Sequence, residues 1–195
     1  MKGAQSRQHL IDAALDLFAE RGFAETSIGD VAERAGLSKG NVSYYFKTKA
    51  DLLEWVTRER EAQLLGRLNE TLSPDATAHE AIAHFLDITD ATAPELARVG
   101  CPVGTLCSEL GKDDPSLQPY ASHVLEALQH WLAEQMIRVV PPDQARDLSE
   151  HLIATLQGAA VLAHAYRDPD VVHRMVASSR AWLASTLPAE LASQT

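Results

Sequence analysis

Four cationic side chains and no carboxylate lie between Arg34 and Ala50. The cations are Arg34, Lys39, Lys47 and Lys49, and hydroxyl and amide side chains lie among them. Residues of these types bind phosphate oxygens, and ammonium and amide groups also hydrogen-bond the edges of DNA bases. Because the whole chain of 195 residues has a formal net charge of -10, the stretch predicts a local phosphate-binding surface on an otherwise acidic protein.

The charge is divided unevenly along the chain. The first 60 residues contain equal numbers of cationic and acidic side chains, so the whole negative excess lies beyond them. The two regions are therefore expected to face different partners. We expect the chain to divide into a domain of residues 1–50 and a second domain of residues 51–195.

Two short helices are predicted to position the cations. Ser27 can cap the first helix, with Asp30 three residues later completing a capping box, and Gly36 ends that helix. Ser38 can cap a second helix that runs to about Phe46. Both caps are defined by short polar side chains directly before apolar helical positions.

The apolar residues of these two helices have the sizes that a helix-turn-helix motif requires. Ala32 is small where the helices would touch, Gly36 turns the chain, and Val42 fills the contact from the second helix. Val31, Ala35, Leu37 and Tyr45 supply the other apolar positions. An ordinary helical hairpin with a solvated basic face is the simpler interpretation, but it does not account for the combined pattern of caps, small residues and flanking cations.

In a helix-turn-helix motif, the start of the second helix enters the major groove of DNA. Lys39 could contact guanine O6 or N7, Asn41 could pair with adenine, and Gly40 would let the backbone approach. We also expected the first amides after Thr48 to form an anion site at the start of a fourth helix. The predicted DNA-binding residues are Thr26, Ser27, Ser38, Lys39, Gly40, Asn41, Ser43, Tyr44, Tyr45, Lys47, Thr48 and Lys49.

The apolar periodicity is helical throughout the chain, and no segment has the alternation that a strand requires. We therefore predict an all-α fold with about nine helices in total, in which a three-helix DNA-binding domain is followed by a larger helical region. After a first helix that ends at Gly22, two short helices and a long fourth helix that Thr48 caps, the remaining helices are predicted near residues 77–90, 103–111, 116–139, 143–166 and 169–187. Pro94 is expected to interrupt the chain between them.

The sequence "RQHLIDAALDLFAERGFAETSIGDVAERAGLSKGNVSYYFKTKADLL", residues 7–53, resembles the N-terminal domain of the TetR family of bacterial transcriptional regulators. Ser43 departs from the family pattern, since most relatives have a tyrosine there. The resemblance implies a homodimer that binds a near-palindromic operator in double-stranded DNA, usually as a repressor. It also implies that residues 1–50 form the helix-turn-helix DNA-binding domain and that residues 51–195 form a helical effector-binding and dimerisation domain. The second domain would bind an unknown small-molecule effector and thereby release the DNA.

Two helical segments near the C-terminus, residues 148–166 and 171–187, are the predicted dimer interface. Each has apolar and small residues at helical spacing, and a four-helix interface would bury them. Packing within one chain is the alternative for the same residues. The predicted interface residues are Leu152, Leu156, Ala159, Ala160, Ala163, Val172, Met175, Val176, Ser179, Trp182 and Leu183.

The effector site is the least defined of the predicted sites. Aromatic, sulfur-containing and imidazole side chains on the middle helices are candidates, although such residues commonly form the core of a domain. The candidates are Trp55, His84, Phe85, Cys101, Leu106, Cys107, Tyr120, His123, Trp131 and Met136. The segment "GCPVGTLCSELG", residues 100–111, leaves open the alternative that Cys101 senses electrophiles or oxidants, because a thiol near a helix start can have thiolate character.

Other functional classes find little support in the sequence. No nucleophile elbow, phosphate-binding loop, dinucleotide-binding motif or zinc-protease motif is present, and the eight histidines lack metal-ligand spacing. We therefore expect no enzyme activity, no cofactor and no metal site; a helical binding module or enzyme without DNA function is the alternative from another class. A regulator that responds to a protein partner, or to nothing, also remains open.

The absence of a long apolar run and of a secretory signal pattern predicts a cytoplasmic protein without membrane contact.

Overall fold

The computed structural model describes residues 2–110 and 114–188, and every regular element among them is helical. The prediction of an all-α fold is thus confirmed. The described residues form ten α-helices and a short 3-10 helix, Pro115–Leu117. The α-helices are α1 (Lys2–Arg21), α2 (Ile28–Arg34), α3 (Lys39–Tyr45), α4 (Lys49–Glu70), α5 (Ala78–Ala91), α6 (Ala93–Val99), α7 (Pro102–Glu109), α8 (Gln118–Met136), α9 (Pro142–Tyr166) and α10 (Asp170–Thr186).

The helix α6 was not predicted, because Pro94 was taken as a break in the chain. Pro94 instead lies in the first turn of α6, where proline is tolerated because its missing N–H would have no partner inside the helix. Gly100, with a φ of 80°, ends that helix. The predicted helix at residues 103–111 corresponds to α7, although its expected last residue, Gly111, lies outside the described residues.

The chain forms two compact units that are not continuous in sequence. The first unit contains the described residues up to Gln63 together with Pro102–Val124, and the second contains Leu64–Cys101 together with the described residues from Leu125 onward. The helices α1, α2, α3 and α7 thus belong to the first unit. The predicted division of the chain at residue 50 remains a prediction.

The core of the first unit is made by α1, α2, α3, α7 and the beginning of α4. Leu10 and Leu17 of α1 and Leu52 and Leu53 of α4 are almost completely buried there. Leu106 of α7 belongs to the same cluster. Burying side chains of this size stabilises a fold by about 1.5–3 kcal/mol each, so this core holds the two short helices α2 and α3 in place.

The second unit packs α5, α6, α9 and α10 around its own core. Leu86 of α5 and Leu152 of α9 are fully buried in that core. Two polar contacts join α10 to α5: an ion pair of Arg180 with Asp87 at 2.5 Å, and Nδ1 of His173 at 2.7 Å from the Asp90 carboxylate. The unit is therefore a helical bundle with an apolar interior and charged contacts at its surface.

Candidate DNA-binding site

The helices α2 and α3 are joined by the tight turn that the sequence predicted. Gly36 has a φ of 66°, a backbone conformation that side chains with a Cβ rarely adopt. The N–H of Leu37 donates to the carbonyl oxygen of Ala32 across 2.9 Å and closes the turn. Val42 is 0% exposed and Ala32 is 3% exposed, so the small and branched residues pack together as a helix-turn-helix motif requires.

The cap at the start of α2 has the predicted capping-box geometry. The hydroxyl oxygen of Ser27 accepts a hydrogen bond from the N–H of Asp30, and the carboxylate of Asp30 accepts one from the N–H of Ser27. The hydrogen bond with the Ser27 side chain, and next the bond from the Ser27 backbone, lower the pKa of Asp30 below its ordinary value. The Ser27 hydroxyl thus has a structural partner in the chain.

The cap of α3 differs from the prediction. Ser38 is in the N-cap position, but its hydroxyl makes no hydrogen bond to the amides of the helix. It donates instead to Oδ1 of Asn41 across 2.6 Å. The contact orients the Asn41 amide at the exposed start of α3, because one of its polar atoms is already engaged.

The exposed face of α3 presents several of the residues predicted to bind DNA. Tyr44 is 76% exposed, and its ring contacts the ring of Tyr45 edge-on at a centroid distance of 4.9 Å. Tyr45 is only partly exposed. The exposed residues at this end of the motif are Ser38, Lys39, Gly40, Asn41, Ser43 and Tyr44.

At the start of α4 we expected an anion site at the first amides after Thr48; one of these, the Asp51 amide, is engaged by the chain itself, and the anion site stays a prediction. Thr48 and Asp51 form a second capping box, in which the Thr48 hydroxyl oxygen accepts from the Asp51 N–H at 3.0 Å. The carboxylate of Asp51 accepts hydrogen bonds from the N–H groups of both Lys47 and Thr48, at 3.0 and 2.9 Å. A carboxylate of the chain thus occupies two of the amides that precede this helix.

Two of the four cations in the basic stretch are engaged within the chain. Arg34 forms a bidentate ion pair with Glu20, at 2.9 and 3.2 Å. The ammonium group of Lys49 lies 4.2 Å from the ring centroid of Phe23 and 3.3 Å from the carbonyl oxygen of Ala24. Burial lowers the pKa of Lys49, against an opposing effect of nearby carboxylates.

Lys39 and Lys47 are the other two cations of the stretch, and both side chains are exposed. Nζ of Lys47 lies 3.4 Å from the carbonyl oxygen of Ser43, a contact that a competing phosphate could replace. Lys39 and Lys47 are thus exposed to solvent on this surface, whereas the exposed Arg34 is paired with Glu20.

Thr26 does not face solvent, contrary to its place among the predicted DNA-binding residues. It is 1% exposed, and its hydroxyl donates to the carbonyl oxygen of Gly22 across 2.7 Å. A side chain buried in this way cannot reach a phosphate without leaving its own core. Its role is to close the turn between α1 and α2.

Arg7 is a residue of this unit that the sequence interpretation missed. Its guanidinium lies 3.4 Å from the ring centroid of Trp55 and 5.9 Å from that of Phe46. Trp55 is 37% exposed on α4, and the guanidinium of Arg58 lies 5.5 Å from the centroid of the same ring. The stacked arginines place Trp55 at a charged surface, which does not fit its predicted place in an effector pocket.

The remaining effector candidates are divided between the two units. In the first unit, Leu106 is buried in the core, and Cys107 and Tyr120 pack against it. His123 lies at the surface, where its Nε2 is 2.6 Å from the Glu61 carboxylate. The first three residues thus pack in or against the core, and His123 makes a polar contact at the surface.

In the second unit the candidates are also engaged in packing. Phe85, Trp131 and Met136 belong to the buried core, and Nε1 of Trp131 donates to Oδ1 of Asn69 across 3.0 Å. Nε2 of His84 lies 2.8 Å from the hydroxyl of Thr71. Cys101 is partly buried and forms no disulfide. Assignment of these residues to an effector pocket remains a prediction.

A small, partly open pocket lies in the first unit, lined mainly by apolar side chains. Its volume is about 20 Å³, room for about one water molecule. Leu106 is the member of the predicted effector set that lines it. The other lining residues are Leu15, Phe18, Ala19, Val56, Thr57, Arg60, Pro102, Val103 and Val124.

Most of the residues predicted for the dimer interface face the core of the chain. Met175 and Trp182 are partly exposed. The ring centroids of Trp182 and His151 lie 4.4 Å apart. The other nine are at most 7% exposed in a single chain, so a partner could reach them only if that core opened. These nine are Leu152, Leu156, Ala159, Ala160, Ala163, Val172, Val176, Ser179 and Leu183.

The same two helices leave a different set of apolar and small residues exposed. Val161 is 66% exposed and Leu162 is 43% exposed on α9. A Cβ atom at Gly158 would meet no atom of the chain within 4 Å. We define the outer face of α9 and α10 as Ala154, Gly158, Val161, Leu162, Ala165, Ala177, Ala181 and Ala184, all of which are exposed.

The described residues contain neither a metal-binding cluster nor a helix that could span a membrane. Within residues 2–110 and 114–188, no group of three or more His, Cys, Asp or Glu side chains is arranged to hold a metal ion. Over the same residues, no helix combines the length and the apolar character needed to cross a bilayer.

Comparisons with known proteins agree with the geometry of both units. Residues 10–56 match the family model described as bacterial regulatory proteins, tetR family. Residues 78–178 match the model described as the C-terminal domain of LmrA/YxaF-like transcriptional regulators. The second match alone covers more than half of the chain.

Individual relatives match over different lengths. The chain is 35% identical to the fatty acid metabolism regulator protein of Bacillus subtilis over 38% of this chain, and it spans 38% of that protein's length. It is 30% identical to the HTH-type transcriptional regulator BetI of Escherichia coli over 80% of this chain and 82% of BetI. The crystal structure of a TetR transcriptional regulator from Chloroflexus aurantiacus shares the fold, with a TM-score of 0.80, 24% identity, and coverage of 95% of this chain and 98% of that one.

Proposed function

The chain belongs to the TetR family of bacterial regulatory proteins, and we propose that it binds a near-palindromic operator as a homodimer and leaves it when a small molecule binds. It is a DNA-binding transcriptional regulator and not an enzyme. Repression by occupancy of the operator is the proposed mode. A cytoplasmic location follows from the need to reach DNA.

The observation that carries this proposal is the exposed start of α3. Val42 faces the core of the first unit, while Lys39, Asn41 and Tyr44 are exposed. A helix anchored on one side and polar on the other can enter the major groove without disturbing its own unit. Lys39 and Asn41 would then contact base edges or phosphates, and Tyr44 would contact the phosphate backbone.

The homodimer is proposed to form through the outer face of α9 and α10. Its residues recur every three or four positions and are mainly alanine, with glycine at residue 158, so two copies can bring their backbones close together. Val161, Leu162 and Tyr166 are exposed large apolar residues on α9. An exposed apolar patch of this kind is typical of an interface.

The experiment that tests the proposal is selection of bound duplexes from a random DNA pool by the full chain. The enriched duplex is then titrated across a salt series, and the number of chains per duplex is measured by light scattering. We expect a near-palindrome with half-sites about one or more helical turns apart, ~34 Å each, and two chains or a multiple of two per duplex. For variants that remove a cation of the DNA-binding surface, such as Lys39→Ala, the control is Arg146→Ala. This substitution removes an exposed cation of α9.

Two outcomes would contradict the proposal. If no duplex is enriched at any salt concentration, the chain does not recognise a DNA sequence. If one chain binds a single half-site, the protein is a monomeric DNA-binding regulator, and the outer face of α9 and α10 has another role. Effector release is tested afterwards, by screening small molecules for loss of binding to the selected duplex.

A further inference from the structure

The turn between α1 and α2 is held by a carboxylate from a helix that lies far away in the sequence. The N–H of Phe23 donates to Oε2 of Glu109 across 2.8 Å. The N–H of the next residue, Ala24, donates to Oε1 of the same carboxylate. Glu109 is the last residue of α7, and all three residues belong to the first unit.

The shape of the turn is adapted to this carboxylate. Successive backbone N–H groups that point the same way form a concave anion site, and Phe23 and Ala24 provide such a pair. Gly22 directly before them has a φ of 85°, and a Cβ atom there would lie 2.7 Å from Oε2 of Glu109. The backbone conformation therefore favours glycine at residue 22, and a Cβ atom there would displace the end of the Glu109 side chain.

Two more contacts hold the same turn from other sides. The Lys49 ammonium group lies against the Phe23 ring and near the carbonyl oxygen of Ala24, at 4.2 and 3.3 Å. The hydroxyl of Thr26 donates to the carbonyl oxygen of Gly22. The next residue, Ser27, begins the capping box of α2. The position of α2, and with it α3, therefore depends on how this turn is held.

The helix that carries Glu109 is anchored in the first unit as well. Leu106 of α7 and Leu110, which follows it, are buried in the same core as α1 and α4. Leu110 donates its backbone N–H to the carbonyl oxygen of Leu106 and continues the last turn of the helix. A shift or rotation of α7 would thus move the carboxylate of Glu109 relative to the turn.

We propose that Glu109 is a positioning residue that holds the helix-turn-helix motif in the arrangement that binds DNA, so that the placement of α7 sets the affinity for DNA. The proposal rests on the DNA-binding function argued above. Glu109 is an anionic side chain, and no contact with DNA is assigned to it. It acts through the backbone amides of Phe23 and Ala24, which fix the entry into α2.

Glu109→Gln tests the proposal, because it keeps the size of the side chain and replaces one acceptor oxygen by an NH₂ donor. The donor would face a backbone N–H and break one of the two hydrogen bonds. Glu25→Gln is the matched control. Glu25 lies exposed in the same turn, and its substitution removes the same negative charge. Both variants are compared with the full wild-type chain on the selected operator, at temperatures where circular dichroism shows them folded.

For Glu109→Gln, the loss of charge and the loss of positioning predict opposite changes in the affinity for DNA. Removing a negative charge near a DNA-binding surface strengthens DNA binding, so Glu25→Gln should bind equally or more tightly. Loss of the turn geometry should instead weaken operator binding by Glu109→Gln by about tenfold, within the range that coupling positions produce. The salt dependence of its binding should stay unchanged, because no phosphate contact is lost.

A spectroscopic measurement separates positioning from a general loss of stability. In ¹⁵N-labelled protein, we expect Glu109→Gln to shift the amide signals of Phe23 and Ala24 and to speed their hydrogen exchange, while amides of the second unit remain unchanged. Exchange of the Phe23 and Ala24 amides as fast as that of Glu25 in the wild-type chain would show that the carboxylate does not hold them.

The outcomes decide the proposal. Weaker binding by Glu109→Gln together with unweakened binding by Glu25→Gln supports it. Equal effects of the two substitutions overturn it.

Glu109→Asp, which keeps the charge but shortens the reach of the side chain, is the second variant. If neither Glu109 variant folds, Glu109 is a folding residue, and the positioning role is overturned. If the wild-type chain enriches no duplex, the DNA-binding proposal fails before any variant is compared, and this proposal fails with it.

Discussion

The hydroxyl of Thr26 donates a hydrogen bond to the backbone carbonyl oxygen of Gly22 across 2.7 Å, from a residue that is 1% exposed. The bond spans the whole turn between α1 and α2. A threonine in this position looks like a phosphate ligand in the sequence, but its side chain closes the turn from inside. The Thr26 hydroxyl thus stabilises the fold and does not contact DNA directly.

Thr26→Val should therefore destabilise the chain. The substitution keeps the shape of the side chain but leaves the Gly22 carbonyl without its partner, a loss of about 1–3 kcal/mol for a buried polar group. The free energy of unfolding from urea titration is the measurement. Thr26→Ser, which keeps the hydroxyl, is the control for that bond. A reduced salt dependence of operator binding with unchanged stability would instead restore Thr26 as a phosphate ligand.

Lys39→Ala should weaken binding to every duplex and reduce the salt dependence of binding. Lys39 is exposed at the start of α3, and each phosphate neutralised by a cation contributes ~0.9 to the slope of log K against log salt. Binding constants at four or more salt concentrations give that slope. We expect a smaller change of slope for Lys49→Ala, because the Lys49 ammonium is held against Phe23. Equal slopes for wild type and Lys39→Ala would remove Lys39 from the phosphate contacts.

Asn41→Ala should relax the preference for one base of the operator. A well-placed amide discriminates between bases by about 1–3 kcal/mol. Because the Ser38 hydroxyl is bonded to Oδ1 of Asn41, Ser38→Ala should relax the same position to a smaller degree. In the variant that carries both Ser38→Ala and Asn41→Ala, the loss of base preference should be no larger than for Asn41→Ala alone. Repeated duplex selection with each variant measures these preferences, and additive losses would show that the two residues act separately.

Gly158→Leu should weaken the dimer without harming the fold of the single chain. The added side chain meets no atom of its own chain near the Cβ position, and leucine is a better helix former than glycine by ~0.8 kcal/mol. Sedimentation equilibrium should show a shift toward monomer, with weaker operator binding. Gly66→Leu is the control in another helix, where the nearest atom to a Cβ is Oε1 of Glu70 at 3.9 Å. A dimer unchanged by Gly158→Leu would exclude this face as the interface.

Asp30→Asn should lower stability at neutral pH, and the difference from wild type should disappear in acid. Since the pKa of Asp30 is lowered in the folded chain, its charge stabilises the fold above about pH 4, and this contribution is lost as the pH falls through the lowered pKa. Urea midpoints at pH 7 and at several values between 5 and 3 measure the effect. Glu33→Gln, at an exposed position of the same helix, is the control and should show no such convergence.

The sequence by itself determined the parts of this protein that depend on neighbours along the chain. The helical periodicity, the capping boxes at Ser27 and Thr48 and the turn at Gly36 all involve residues three to five positions apart. Interactions over such distances are set by side-chain type and backbone geometry alone. The resemblance of residues 7–53 to a known family rests on the same local pattern, and the family models confirm it.

Only the tertiary structure decided which polar groups were already engaged and which faces were left open. Glu109 holds the turn at Phe23 from 86 positions away, and no spacing in the sequence indicates that contact. On α9, periodicity alone cannot tell the face that contains Leu152 from the face that contains Gly158, because both carry small or apolar residues. Packing buries the first face and exposes the second, since a helix can turn only one side toward the core of its own chain.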